Sequence, residues 1–196
     1  MKSIAVYCGA SFGVNPVYAE AARALAQVMV EHNIALVYGG GNVGLMGVIA
    51  DEMLRLGGEV TGVIPRALVE REVGHAGLTR LFVVKDMHER KAMMAELSDG
   101  FIALPGGMGT LEELFEMLTW SQLGIHAKPV ALLNVGGFYD GLISFVRHQQ
   151  AEGFVRAEHA GLMMVETTAE AVVRRLQEQG LTRPRGQTPD ATPARG

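Results

Sequence analysis

Gly100-Phe101-Ile102-Ala103-Leu104-Pro105-Gly106-Gly107-Met108-Gly109-Thr110-Leu111-Glu112-Glu113 opens as a short apolar run, breaks at a proline, passes through glycines and enters a stretch with helical spacing. A strand that turns through glycine directly into a helix is the building unit of a parallel sheet, because parallel neighbours need a crossover where antiparallel ones need only a hairpin. The same alternation recurs on both sides of this stretch. Upstream, Ser3 to Cys8, Ile34 to Tyr38, Val60 to Ile64 and Leu81 to Val84 read as strands. Helical patterns between them cover Val17 to His32, the segment from Leu45 to Leu56 ended by Gly57-Gly58, and Asp86 to Ser98. Pro16 suits the first position of the first helix, and Pro65 is read as stopping the third strand. Downstream come a helix from Thr110 to Leu123, a strand from Val130 to Val135, a helix from Tyr139 to Glu152, a strand from Leu162 to Val165 and a helix from Ala169 to Gln179. Near-continuous apolar strands alternating with helices predict an α/β fold: a doubly wound parallel sheet of about seven strands with helices on both faces.

Residues 1–180 are read as a single nucleotide-binding α/β domain, and 181–196, with Pro184, Pro189 and Pro193 and almost no large apolar side chain, as a disordered tail. The segment from Arg66 to Leu78 reads as an irregular loop. The 17 basic and 21 acidic residues give a net charge of -4 with no basic run, which argues against a nucleic-acid partner. The single Cys8 excludes an intrachain disulfide, and no apolar run is long enough for a membrane span, so the expectation is a cytoplasmic protein. Six histidines show no metal-ligand spacing, and no metal site is expected.

Twenty-five of the 196 residues are glycine, nearly twice the usual share of roughly 7%. In a doubly wound sheet ligands bind beyond the carboxyl ends of the strands, where several of these glycines fall. Gly39-Gly40-Gly41-Asn42-Val43-Gly44 has the form of a dinucleotide fingerprint. That fingerprint wants an acid at the carboxyl end of the next strand, yet the acid at the right separation, Glu59, stands at that strand's beginning. A nicotinamide oxidoreductase is therefore disfavoured. Pro105 to Glu113 is more informative. Glycines leave backbone N–H groups bare at a helix N-terminus, where a phosphate binds without a basic side chain, and Thr110 adds a hydroxyl. The same Thr110-x-x-Glu113 spacing is also that of a capping box, which would bind nothing. Spacing alone leaves both open. Placing Glu112 and Glu113 beside an anion is unfavourable unless one serves a cation that forms later. Cleavage of a ribose-to-base bond makes such a cation, and Glu113 would be the carboxylate that stabilises it and orients water. Arg90-Lys91, on the preceding helix, supplies positive charge beside the loop.

On Met87-His88-Glu89-Arg90-Lys91 and on Pro105 to Glu113 the sequence resembles the LOG family of cytokinin riboside 5′-monophosphate phosphoribohydrolases, long labelled lysine decarboxylase-like. It meets the two family signatures, M-x-x-R-K and P-G-G-x-G-T-x-x-E, without a departure. The similarity runs from Cys8-Gly9-Ala10-Ser11 through Gly39-Gly40-Gly41 and Gly44-Leu45-Met46-Gly47 to about residue 165. The resemblance implies a Rossmann-like sheet, a homodimer with the site near its interface, and hydrolysis of a nucleoside 5′-monophosphate substrate such as AMP to free base and ribose 5-phosphate, without a cofactor. It carries the catalytic pair onto Arg90 and Glu113. Substrate contacts carry onto Glu72, Lys91, Gly107, Met108, Gly109, Thr110, Leu111, Glu112 and Thr119. The alternative from another class is a non-catalytic nucleotide sensor on the same scaffold, which would not require the Arg90 and Glu113 pair.

The older decarboxylase label conflicts with the residues themselves. A pyridoxal phosphate enzyme needs a Schiff-base lysine, and none of Lys2, Lys85, Lys91 and Lys128 has an evident constellation for one. Cys8 reads as a small buried thiol. Met93, Met94, Met117, Met163 and Met164 read as core or interface filler, and Trp120 and Leu123 as dimer contacts or core.

Overall fold

The computed structural model describes residues 1–69 and 74–182. Its centre is a seven-stranded sheet in the order β4-β3-β2-β1-β5-β6-β7. The strands are β1 Ser3–Tyr7, β2 Ala35–Tyr38, β3 Val60–Pro65, β4 Arg80–Val84, β5 Gly100–Ala103, β6 Val130–Leu133 and β7 Met163–Glu166, and every neighbouring pair is parallel. The helices are α1 Val17–Glu31, α2 Gly44–Arg55, α3 Arg66–Val69, α4 Met87–Glu96, α5 Met108–Gln122, α6 Asp140–Ala151, α7 Ala157–Ala160 and α8 Ala169–Thr182. None of the described helices is long and apolar enough to cross a membrane.

Each face of the sheet is covered by its own layer. On one, Ile4, Val6, Leu36, Tyr38 and Ile102 meet Leu25, Met29, Ile49, Met53, Val173 and Leu176 of α1, α2 and α8. On the other, Ala5, Tyr7, Val37, Phe101 and Leu132 meet Met94 of α4, Leu114 and Met117 of α5, and Tyr139 at the start of α6. Alternate residues of β1 therefore serve opposite cores, as the two-residue period of a strand requires. Both faces are dry along β1, β2, β3, β5 and β6, which explains why those strands read as unbroken apolar runs, whereas the edge strand β4 is exposed except at Val84.

The elements begin and end for local reasons. Asn15 Oδ1 accepts from the Val17 N–H at 3.1 Å at the entry to α1, whose capping position is held by Pro16. Asp86 caps α4 by accepting from the Glu89 N–H at 3.0 Å, and Glu89 accepts from the Lys85 N–H at 2.7 Å. The Gly58 N–H returns to the Met53 carbonyl at 2.8 Å and closes α2.

Three expectations need correction. Pro65 is the last residue of β3, paired with Val84, rather than a stop after it. Neighbouring β2 has already ended opposite Gly62, so nothing on that side asks for the proline's missing N–H. The segment after Pro65 begins with a helical turn, α3, and Gly74 forms an antiparallel bridge with Gly41, so it is not wholly irregular. The short helix α7 has no counterpart in the sequence pattern, because its four residues are too few to show a helical period. α8 continues to Thr182, past Gly180, and the rest of the expected disordered tail lies outside the described residues, as does Glu72.

Strand β1 lies between β2 and β5, so the chain winds outward from β1 to β4 and then returns to begin again at β5. The connections leaving β1 and β5 diverge to opposite sides. The gap between them is the place where ligands enter such sheets.

Candidate functional site

At that gap the loops are tied together by backbone bonds. The Gly9 N–H donates to the Pro105 carbonyl at 3.1 Å, and the Leu45 N–H donates to the Gly9 carbonyl at 2.9 Å. Beside them opens a crevice of about 510 Å³, walled by the loop from Cys8 to Gly13, Leu45 and Met46 of α2, Met87 and Arg90 of α4, and Pro105, Gly106, Gly107, Gly109, Thr110, Glu112 and Glu113. Tyr18 and Phe138, in edge contact at 5.6 Å, form its far wall.

α5 begins at Met108, with Gly107 in the capping position and no side chain bonded to the first turn. Thr110 is therefore inside the helix and buried, so the capping-box reading of Thr110 and Glu113 fails. The first N–H groups of α5 face the gap without a side-chain partner, as an anion site requires. Gly106 is needed for a steric reason: a Cβ there would stand 2.1 Å from Thr110 Oγ1 and 2.8 Å from the Gly9 nitrogen. At Gly107 and Gly109 nothing lies within 4 Å of an added Cβ, so their glycine character is not demanded by protein packing.

Arg90 enters from the opposite wall. It is 7% exposed, its Nε donates to the Val63 carbonyl at 3.1 Å, and its Nη2 donates to the Gly39 carbonyl at 3.3 Å. A Cβ on Gly39 would lie 1.9 Å from Nη2. The glycine run that resembles a dinucleotide fingerprint thus makes room for a guanidinium. Consistently, Glu59 pairs with Arg80 at 3.6 Å at the amino end of the sheet, away from the crevice.

Glu113 lies one turn into α5 and borders the crevice with no hydrogen-bond partner among the described residues. Burial pushes its carboxyl up to about 7, against the pull of Arg90. Arg90 and Glu113 thus face the same cavity as a fixed cation and a carboxylate poised near neutrality.

Lys91 points elsewhere. Its ammonium, 6% exposed, is bound by Glu112 and by Glu116 at 3.1 Å, and it does not border the crevice. Burial pulls the ammonium's proton affinity down, yet the bonds to the two carboxylates outweigh it and leave it above the ordinary value. Of the other expected contacts, Gly107, Gly109, Thr110 and Glu112 border the crevice. Met108 is 84% exposed, Leu111 packs toward the second core, and Thr119 is exposed further along α5; none of the three enters the crevice. Cys8 is buried and its thiol is pushed far up by that burial, as expected of an inert core thiol. Lys128 donates to the Ala95 carbonyl at 2.6 Å, at the end of α4, and no lysine borders the crevice among the described residues. A Schiff base has no candidate there. The walls contributed by Phe12, Tyr18 and Phe138 carry no motif; what marks their regions in the sequence is that they follow strands β1 and β6.

A doubly wound sheet with a bare helix N-terminus, a buried arginine and a carboxylate at its switch point defines a Rossmann-like class of α/β protein with its crevice at the carboxyl ends of the strands. Comparison with known proteins narrows the class. The family described as possible lysine decarboxylase matches residues 46–176. The chain is 51% identical over 175 residues to the probable cytokinin riboside 5′-monophosphate phosphoribohydrolase LOGL1 of Oryza sativa subsp. japonica, covering 89% of this chain and 78% of the relative. It is 49% identical over 177 residues to the cytokinin riboside 5′-monophosphate phosphoribohydrolase LOG7 of Arabidopsis thaliana, covering 90% and 82%. This chain belongs to the LOG family. Among solved structures, the molybdenum cofactor carrier protein of Chlamydomonas reinhardtii is 20% identical, with a TM-score of 0.69 over 90% of this chain and 96% of that one; the likeness is one of fold.

Proposed function

We propose that this chain hydrolyses the N-glycosidic bond of a purine riboside 5′-monophosphate, AMP or a cytokinin riboside monophosphate, to the free base and ribose 5-phosphate. The observation that carries the reading is the Glu113 carboxylate, unpaired in the crevice beside the phosphate-ready start of α5. The 5′-phosphate sits on the N–H groups of Gly107 and Gly109 and on the Thr110 hydroxyl. This anchors the ribose about one helical turn from Glu113. As the bond to the base breaks, positive charge grows on the sugar; ionised Glu113 stabilises it and orients the attacking water. Arg90, held by two carbonyls, orients the nucleotide and supports the departing base. Water adds to the anomeric carbon and gives one proton to Glu113, the base leaves with one proton taken from solvent, and Glu113 returns its proton to solvent, so one water is consumed with no net proton gained or lost. No cofactor is required by that balance.

Two further features belong to the proposal. The working unit is a homodimer in the cytoplasm, and Thr119, exposed and outside its own crevice, contacts nucleotide only across the dimer. Lys91 acts indirectly, by fixing Glu112 and Glu116. Chromatographic assay of base release from AMP and from isopentenyladenosine monophosphate tests the reaction. Glu113→Gln should lose turnover by about a thousandfold while nucleotide affinity stays within several fold. Undiminished turnover in that variant defeats the mechanism, and nucleotide binding with no base release by the wild type would make the protein a sensor.

A further inference from the structure

Among the described residues, the hydroxyl of Tyr7 on β1 and Oε2 of Glu116 on α5 are buried without a partner, and the charges of Glu113 and Glu116 both act on that hydroxyl. One is a donor and the other an acceptor. Tyr7 is 2% exposed, and its ring is stacked on Phe101 with centroids 6.2 Å apart and planes 6° apart, so packing holds it in place. Glu116 spends Oε1 on Lys91 at 3.1 Å and leaves Oε2 turned inward. α5 packs directly on β1, and Glu113 and Glu116, three residues apart, share one side of that helix. Leaving both atoms dry is unfavourable, and an internal water, which makes about three hydrogen bonds, is the usual remedy.

We infer that Tyr7 is a positioning residue for Glu113: its hydroxyl and Glu116 Oε2 hold one internal water, whose remaining hydrogen is donated to the Glu113 carboxylate. Tyr7 donates to the water oxygen, and the water donates one hydrogen to each carboxylate. The charged groups acting on Glu113 are Arg90 and Lys91 of α4 and Glu112 and Glu116 of α5, and its own charge acts on Tyr7 and Cys8 of β1. Burial and the two neighbouring glutamates favour its neutral form, Arg90 and Lys91 its ionised form. A water donating to the carboxylate adds to the second side. It also fixes the orientation of a side chain that no group among the described residues bonds. The catalytic meaning of this arrangement rests on the reaction proposed above; the water itself does not.

Two measurements on the full chain test it. A crystal structure fine enough to place ordered waters should show one within hydrogen-bond distance of both Tyr7 Oη and Glu116 Oε2; an empty gap overturns the inference and requires no variant to fold. Carbon-13 titration of the Glu113 carboxyl in wild type and Tyr7→Phe should then show the midpoint higher in the variant by about half a pH unit or more. The acid limb of kcat/KM should move the same way with KM little changed. An unmoved midpoint, or a Tyr7→Phe protein more stable than wild type as expected on losing an unsatisfied hydroxyl, overturns it. Base release surviving in Glu113→Gln would instead defeat the proposed reaction while leaving the water and the titration shift standing.

Discussion

A carboxyl held near neutrality is costly to keep ionised, and Glu113 makes that cost measurable. Its folded value of about 7 lies above that of an unfolded glutamate, so between roughly pH 4.5 and 7 the native state binds a proton the unfolded chain has lost. Its contribution to stability is therefore full at low pH, is lost as pH rises through that window, and stays lost above it. Glu113→Gln should raise the unfolding free energy at pH 8 by on the order of 2 kcal/mol, solvent contact allowed for, and should leave it nearly unchanged at pH 4. Denaturant melts at the two pH values check the sign. In the wild type kcat/KM should fall as pH drops below about 7, because the neutral acid cannot stabilise a sugar cation. Gly39→Ala tests the other half of the pair. Its Cβ would overlap the Arg90 guanidinium, so turnover should fall about as far as in Arg90→Ala, although residue 39 carries no functional group. A Gly39→Ala enzyme with wild-type kcat/KM would show that Arg90 need not sit where it does.

At the scale of elements, the start of α5 should behave as a phosphate site whose strength lies in its backbone. Ribose 5-phosphate retains the phosphate and lacks the base, so its inhibition isolates this contact. Gly109→Pro removes one N–H from the first turn, where the ring is sterically welcome, and should weaken that inhibition about tenfold or more while α5 persists by circular dichroism. The element pattern is legible because the central apolar runs are buried on both faces of the sheet and glycines follow several of them; all seven strands stand within about a residue or two of their expected ends. What the sequence left open were relations across the chain. Spacing could not choose between a capping box and an anion site, because the choice depends on where α5 begins, and that is fixed by the seat of Thr110 against Gly106. Nor could it show that Arg90 and Lys91, adjacent in the chain, diverge to a crevice and to a salt-bridged pair. The partnerless Tyr7 hydroxyl had no motif to reveal it, since a tyrosine in a strand ordinarily signifies packing.

Across the whole molecule the two helical layers differ in a way that bears on assembly. Among the described residues, α1, α2 and α8 expose no large apolar side chain. The opposite layer exposes Leu97 at the end of α4, Phe115 and Leu123 on and just after α5, Ile125 beyond it, and Phe145 of α6, with Leu123 and Ile125 at 62% and 61% exposure. Scattered apolar residues need no explanation, but a concentration on one of two otherwise equivalent layers marks a contact surface. The same layer carries the Arg90 and Glu113 elements and the exposed Thr119, so a dimer formed there would place a second copy beside each crevice. A charge introduced at that surface would be stripped of water on association and left unpaired. Leu123→Asp combined with Ile125→Asp should therefore convert a dimer to a folded monomer in sedimentation velocity, with the far-ultraviolet spectrum unchanged. Base release should fall with it, chiefly through a higher KM, since Arg90 and Glu113 border the crevice of their own chain and Thr119 does not. A wild type that sediments as a monomer, or a monomeric variant with unaltered KM, would remove the second copy from the site.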